Sequence, residues 1–206
     1  MPKNARHVQA KPRALHRRLN NTLTVVAIML GLYIGVSPFV PQVGWWLRHR
    51  HASPATQVAS TPKPASHTNQ APIPADNLLI IPRLTMHEVI HDGPTLAELR
   101  KGVWLIPSSS PPGQQSNTVI IGHRFTYAGP AVFYFLDKIQ LGDAITIDWH
   151  QKEYTYKVTD INVVPPTDLS VEQPTTKPQL TLYTCTPLWT AKNRLVITAP
   201  LQGVRS

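Results

Sequence analysis

Hydrophobic residues are distributed along this chain in two ways. From Leu23 to Leu47 they run nearly without interruption, LTVVAIMLGLYIGVSPFVPQVGWWL, and no residue between Arg18 and Arg48 carries a formal charge. Such a run reaches across the roughly 30 Å hydrocarbon core of a bilayer, which needs about 20 helical residues. After Asn77 the pattern changes to short runs rich in β-branched and aromatic residues and bounded by turn signals: LLIIPRL, HEVI, NTVIIGH, AITIDWH, EYTYKVTDINVV, LTLYTC and RLVITAPL. Runs of this kind predict strands, and their number predicts an all-β barrel or sandwich. TLAELRKG, with Pro94 and Thr95 at its start and Gly102 near its end, is the one convincing helical segment in that region. Between the two patterns, His51 to Ala75 is rich in Pro, Ala, Ser and Thr and has no apolar period, which predicts a semi-extended spacer. The expected organisation is a basic tail over 1–22, a membrane helix over 23–47, a linker over 48–76 and one domain over 77–206.

Charge sets the expected topology and removes one class of partner. Lys3, Arg6, Lys11, Arg13, Arg17 and Arg18 precede the apolar run with no acidic residue among them, so the positive-inside bias places the amino terminus in the cytoplasm and the domain outside. Trp45 and Trp46 suit the far interface. A cleaved leader would use Thr22 to Val36 as its apolar region, but no small-x-small site follows and Pro38 and Pro41 crowd the position. Either route exports the domain. The net charge of +9 is concentrated ahead of that domain: residues 1–76 hold nine Lys/Arg against one Asp, and residues 77–206 hold eleven against ten acidic residues. A nearly neutral domain with basic residues beside a membrane span argues against nucleic acid as a partner.

HEVIH, His87 to His91, matches a zinc-protease motif that works only on a helix, where both imidazoles share a face. Pro82 upstream, the β-branched Val89 and Ile90 and the turn signal Asp92-Gly93-Pro94 predict a strand instead. On a strand the two histidines lie about 13 Å apart, too far to share one ion without a bend. No metal or other cofactor is therefore expected. Asp143, Asp148 and Asp160 lack calcium-loop spacing, so calcium activation has no support from sequence either.

The chain contains a single cysteine, Cys185, in TLYTCTPLWTAKNR. An exported lone thiol is buried and inert, paired with another chain, or kept because it reacts. Cys185 ends an apolar strand just before Pro187, where the chain leaves the sheet and a rim exposes the side chain. Reaction requires a base or cation that favours the thiolate. His87, His91, His123 and His150 are the candidates in the domain, and His123 stands directly after the strand NTVIIG. Arg194 opens the strand RLVITAPL. Antiparallel pairing with the cysteine strand would set it opposite Cys185, where a guanidinium could hold a carbonyl oxygen as charge develops. On the residues alone, a hydrolytic cysteine protease and a non-catalytic adhesive or scaffold module with a buried thiol both stay open.

Thr181-Leu182-Tyr183-Thr184-Cys185, Ile121-Gly122-His123-Arg124 and Arg194 in NRLVI, taken in this order, resemble the T-L-x-T-C, histidine and arginine motifs of the sortases, membrane-anchored cysteine transpeptidases. LLIIPRLTMHEVI looks like their opening hairpin, and the likeness covers essentially Leu78 to Leu201. The resemblance implies a β-barrel of about eight strands with one or two short helices, preceded by a transmembrane helix. It also implies a two-step acyl transfer without a cofactor: Cys185 as nucleophile toward an LPxTG-like sorting signal, His123 as acid and base, Arg194 as the oxyanion and substrate contact, and Thr184 in support. The implied partners are secreted proteins bearing a carboxy-terminal sorting signal and an amine of the envelope or of a pilin. The linker lacks an Asp-Pro-aromatic lid and no hydrophobic segment follows Leu201, which favours attachment of single proteins to an envelope acceptor over pilus assembly.

Overall fold

The computed structural model describes residues 13–37, 40, 43, 44, 47 and 77–206. The tail before residue 13, the prolines and tryptophans at 38, 41, 45 and 46, and the 48–76 linker lie outside the described residues. The chain divides into two units, Met1–Pro64 and Ala65–Ser206.

In the first unit helix α1 runs Arg13–Val36, starting well before Leu23, where the expected span begins. Its 24 residues extend about 36 Å at 1.5 Å per residue. Leu19–Val36 is long and apolar enough to cross a membrane by length and composition. Leu23, Ile28, Leu30 and Ile34 are all exposed, as lipid-facing side chains are. Thr24 donates its hydroxyl to the Asn20 carbonyl at 2.9 Å, so this polar side chain is satisfied within the helix.

The second unit is a closed barrel. Its ring consists of β1 (Leu78–Ile81), β2 (Met86–His91), β3 (Val103–Leu105), β4 (Asn117–Ile121), β10 (Gln179–Thr186), β11 (Asn193–Arg205), β8 (Lys152–Lys157) and β7 (Ala144–Trp149), which returns to β1. These are the eight strands that the resemblance implies. β9 (Asp160–Val164) lies outside the ring on the first half of β11, and β5 (Phe125–Thr126) pairs only with β6 (Gly129–Pro130). Alternation builds the interior: Leu79 and Ile81, Ile145 and Ile147, Leu180 and Leu182, and Leu195 and Ile197 each supply two buried residues at a spacing of two. Each such side chain contributes roughly 1.5–3 kcal/mol by leaving water.

The segment TLAELRKG forms a five-residue 3-10 turn, Leu96–Arg100, rather than an α-helix. Its bonds span three residues, Glu98 N–H to the Thr95 carbonyl and Lys101 N–H to the Glu98 carbonyl. Pro94 and Gly102 leave too little chain to recover the cost of an α-helical nucleus. EYTYKVTDINVV breaks into β8 and β9, because β8 follows the far half of β11 and β9 the near half.

β7 and β4 run in opposite directions, so Asp148, near the carboxy-terminal end of β7, lies at the barrel end away from the end of β4. Asp148 is 3% exposed, and its Oδ1 has no hydrogen-bond partner among the described residues. Burial first, then the Glu153 carboxylate, raises its pKa above 3.8, while Arg205 acts to lower it. Between 3.8 and the raised folded value the native state holds a proton that the unfolded chain has lost, so stability falls as pH rises through that window. The Asp148→Asn substitution removes this cost. Its melting temperature at neutral pH should rise by about 2–5 °C, with the gain disappearing once the pH drops below the ordinary carboxylate range. Calorimetry at the two pH values checks this, and a destabilised variant at neutral pH would refute it.

Candidate active site

β10 lies between β4 and β11, and both of its ladders converge on Cys185. On one side β10 pairs parallel with β4 up to Tyr183 opposite Ile121. Gly122 N–H continues toward the Tyr183 carbonyl at 3.4 Å, and the same register carried two residues past the last pair would set His123 level with Cys185. On the other side β10 pairs antiparallel with β11, and Cys185 stands directly opposite Arg194. Cys185 and Arg194 are thus a cross-strand pair, and His123 follows the end of the neighbouring strand, where the β4 register continued past its last pair would set it beside Cys185 in a row with strands about 4.8 Å apart.

Alternation assigns the row to the outer face. Leu180, Leu182 and Thr184 on β10 are buried toward the core, so Cys185 shares its face with Tyr183, as His123 does with Val119 and Ile121. Those outer residues join Trp104, Ile106 and Leu99 in a second apolar cluster. The β9–β10 connection is fastened beside it. Asn117 Nδ2 donates to the carbonyls of Val171 and Gln173 at 3.0 and 3.2 Å, and the Tyr183 hydroxyl donates to Glu172 at 2.6 Å. Burial, and then this bond to a carboxylate, pushes the Tyr183 phenol well above its ordinary range, so it stays protonated. The row thus opens at the rim of a pre-formed apolar surface. All three of its members are partly exposed.

The structure does not bring Thr184 to that face. Thr184 is 2% exposed, and its Oγ1 donates to the Gly122 carbonyl at 2.8 Å, so its single proton is already used behind the row. One position further on, the buried Arg124 donates from Nη1 to Thr186 Oγ1 at 2.8 Å and from Nε to the Tyr134 carbonyl at 3.4 Å. Its Nη2 lies 3.1 Å from Asp137 Oδ2. Sequence reasoning missed this inner layer, although Arg124 and Thr186 directly follow the two chemistry-bearing residues. Gly122 is required there by close approach: a Cβ would lie 2.7 Å from the Phe133 ring and 2.9 Å from Val132.

Arg194 turns its Nη1 to the carbonyls of Ala191 and Asn193 at 3.3 and 3.2 Å. In the same loop Trp189, 64% exposed, meets Phe125 edge-on at 4.4 Å between centroids. The β10–β11 loop thereby touches the segment that follows His123. A cavity of about 660 Å³ approaches the row from the other side, lined by Glu88, Arg100, Lys101, His123, Thr126 and Phe135 among others. The remaining histidines stand elsewhere. His87 and His91 lie on strand β2, and His150 stacks on Trp149 at the opposite barrel end. Asp143 pairs with Arg83, and Asp160 accepts from Asn162.

The fold is a β-barrel with a thiol and a guanidinium paired across two strands at one rim and an imidazole just past the end of the neighbouring strand. The Sortase domain family matches residues 79–202, and the chain belongs to the sortase family. Sortase SrtE1 of Streptomyces coelicolor is 31% identical over 101 residues, a match that spans 45% of this chain but only 28% of that protein. The candidate sortase YwpE of Bacillus subtilis is 30% identical over 87 residues, 42% of this chain and 84% of its own length. Among solved structures, the Clostridium perfringens sortase D5 transpeptidase shares 32% identity at a TM-score of 0.57, covering 63% of this chain and 79% of its own. A lid mutant of Corynebacterium diphtheriae sortase A shares 31% at a TM-score of 0.58, covering 63% and 71%.

Proposed function

We propose that this protein is a membrane-anchored cysteine transpeptidase that cleaves an LPxTG-like sorting signal and joins the acyl part to an amine. One observation carries the reading: Cys185 stands directly opposite Arg194 on β11, while β4, whose end leads into His123, pairs parallel with β10 up to Ile121 opposite Tyr183. Cys185 Sγ attacks the threonine carbonyl of the signal. The peptide C–N bond breaks, His123 gives a proton to the leaving amine, and the acyl group remains as a thioester. An acceptor amine then attacks the thioester carbon, His123 removes its proton, and the thiolate leaves as the new amide forms. Arg194, opposite Cys185, holds the oxygen that carries negative charge in both tetrahedral stages. The cavity bordering His123 gives the leaving and entering amines a place on the side where their protons are exchanged. Helix α1 serves as a single-pass anchor with the amino terminus in the cytoplasm, and the barrel works outside on secreted proteins and an envelope or pilin amine.

Mass spectrometry of the detergent-solubilised protein, incubated with an LPxTG-type peptide with and without triglycine, tests this. An acyl adduct on Cys185 and a triglycine conjugate are expected. Free acid at every triglycine concentration would make it a hydrolase, and an unmodified thiol with intact peptide would make the domain non-catalytic.

A further inference from the structure

The backbone ladder between β4 and β10 ends before it reaches the residues proposed to react. Its last paired residues are Ile121 and Tyr183, and one longer bond, Gly122 N–H to the Tyr183 carbonyl, follows. Two strand ends released from a ladder would diverge with the natural twist of the sheet. Here side chains take over where the backbone stops. Thr184 Oγ1 bonds the Gly122 carbonyl on the amino-terminal side of the His123–Cys185 pair, and Arg124 Nη1 bonds Thr186 Oγ1 on its carboxy-terminal side. Both bonds lie on the inner face, and the pair between them points outward.

The guanidinium is itself held at two further points, the Tyr134 carbonyl and Asp137. The His123 carbonyl accepts from Phe133 N–H at 3.0 Å, and the Arg124 carbonyl accepts from Ala131 N–H at 3.2 Å. A barrel end seeking only stability would close with apolar side chains, because a buried ion pair gains little over a well-packed hydrophobic substitute. What the planar fork adds is geometry, since it bonds several acceptors at once in fixed directions.

Resting on the transpeptidase reading for its kinetic consequence, we infer that Arg124, Thr184 and Thr186 form a positioning bracket that fixes the height and spacing of His123 relative to Cys185. The bracket acts through the two reacting side chains and touches no substrate. Its loss lowers kcat while leaving the KM for the sorting peptide nearly unchanged, because the signal binds on the outer face.

Thr186→Val keeps shape and removes the hydroxyl, whereas Thr186→Ser keeps the hydroxyl. In the full-length protein in detergent, Thr186→Val should lose about 10-fold in kcat at unchanged KM, Thr186→Ser should retain activity within about 2-fold, and Arg124→Gln should lose on the order of 100-fold, as expected for a displacement of about 1 Å at a reacting pair. Alkylation of Cys185 by iodoacetamide at neutral pH provides a readout that needs no sorting signal. A bracket that holds the imidazole beside the thiol keeps the thiol reactive, so Thr186→Val should slow alkylation about 3-fold or more and Thr186→Ser should not. A purely structural contact would give the opposite sign, since loosening the rim exposes the sulfur and speeds alkylation. Equal behaviour of the valine and serine variants, or faster alkylation of Thr186→Val, would overturn the inference. If the unsubstituted protein forms no thioester at all, the transpeptidase reading fails and the alkylation ratio still decides the bracket. If Arg124→Gln does not fold, the Thr186 pair decides it alone.

Discussion

Cys185→Ala should abolish the acyl adduct and reduce turnover of a sorting peptide by at least about 10,000-fold, the scale on which a nucleophile acting within a catalytic unit is lost. No other residue of the chain can replace it, because Cys185 is its only thiol. His123→Ala should fall nearly as far, and combining the two should add little, since each is useless without the other. The measurement is single-turnover kinetics with quenched samples weighed by mass spectrometry. Conjugate formation by Cys185→Ala at more than a trace would remove the thioester from the mechanism.

Arg194→Lys should cost about 10- to 1000-fold in kcat/KM, comparable to the removal of an oxyanion donor. The charge is kept, so any loss reports geometry. In the structure Nη1 is already turned to the carbonyls of Ala191 and Asn193, which anchors one arm of the guanidinium to its own loop and leaves the rest of the fork for an acceptor. An ammonium has a single centre and must abandon either the loop or the substrate. Steady-state kinetics of Arg194→Lys beside Arg194→Ala separates the contributions. Full activity of the lysine variant would reduce Arg194 to a diffuse positive charge.

Much of this arrangement was legible in the sequence. The run LTLYTC alternates with period two, so its inward and outward residues follow once one side is known to be core, and RLVITAPL does the same, so the opposition of Cys185 and Arg194 could be stated as a consequence of antiparallel pairing. HEVIH could be rejected as a helix because prolines and β-branched residues surround it, and it is β2. The side-by-side position of His123 and Cys185 was not legible from local pattern. It depends on a parallel pairing of strands far apart in sequence, which no periodicity encodes. The burial of Thr184 against the Gly122 carbonyl was not legible either, because a motif names residues without their sidedness. The short β3 was missed because all three of its residues are buried, which leaves no alternation to read. Arg124 figured only as the last residue of the Ile121-Gly122-His123-Arg124 motif, since a cation's burial beside Asp137 appears only after the chain folds.

On the proposed mechanism, the parallel contact between β4 and β10 also sets when this thiol becomes reactive. Residues 122–178 lie between the two paired segments, so the contact that joins β4 to β10 is non-local and carries a loop-closure cost. A chain newly delivered across a membrane, or one with β1 to β4 formed and the ring still open, holds an ordinary cysteine with no imidazole next to it. On the proposed mechanism, barrel closure would also bring the imidazole to the thiol. On the proposed mechanism an unfolded copy would leave sorting signals uncleaved, and recovery of Cys185 alkylation during refolding would report the closure of β4 on β10.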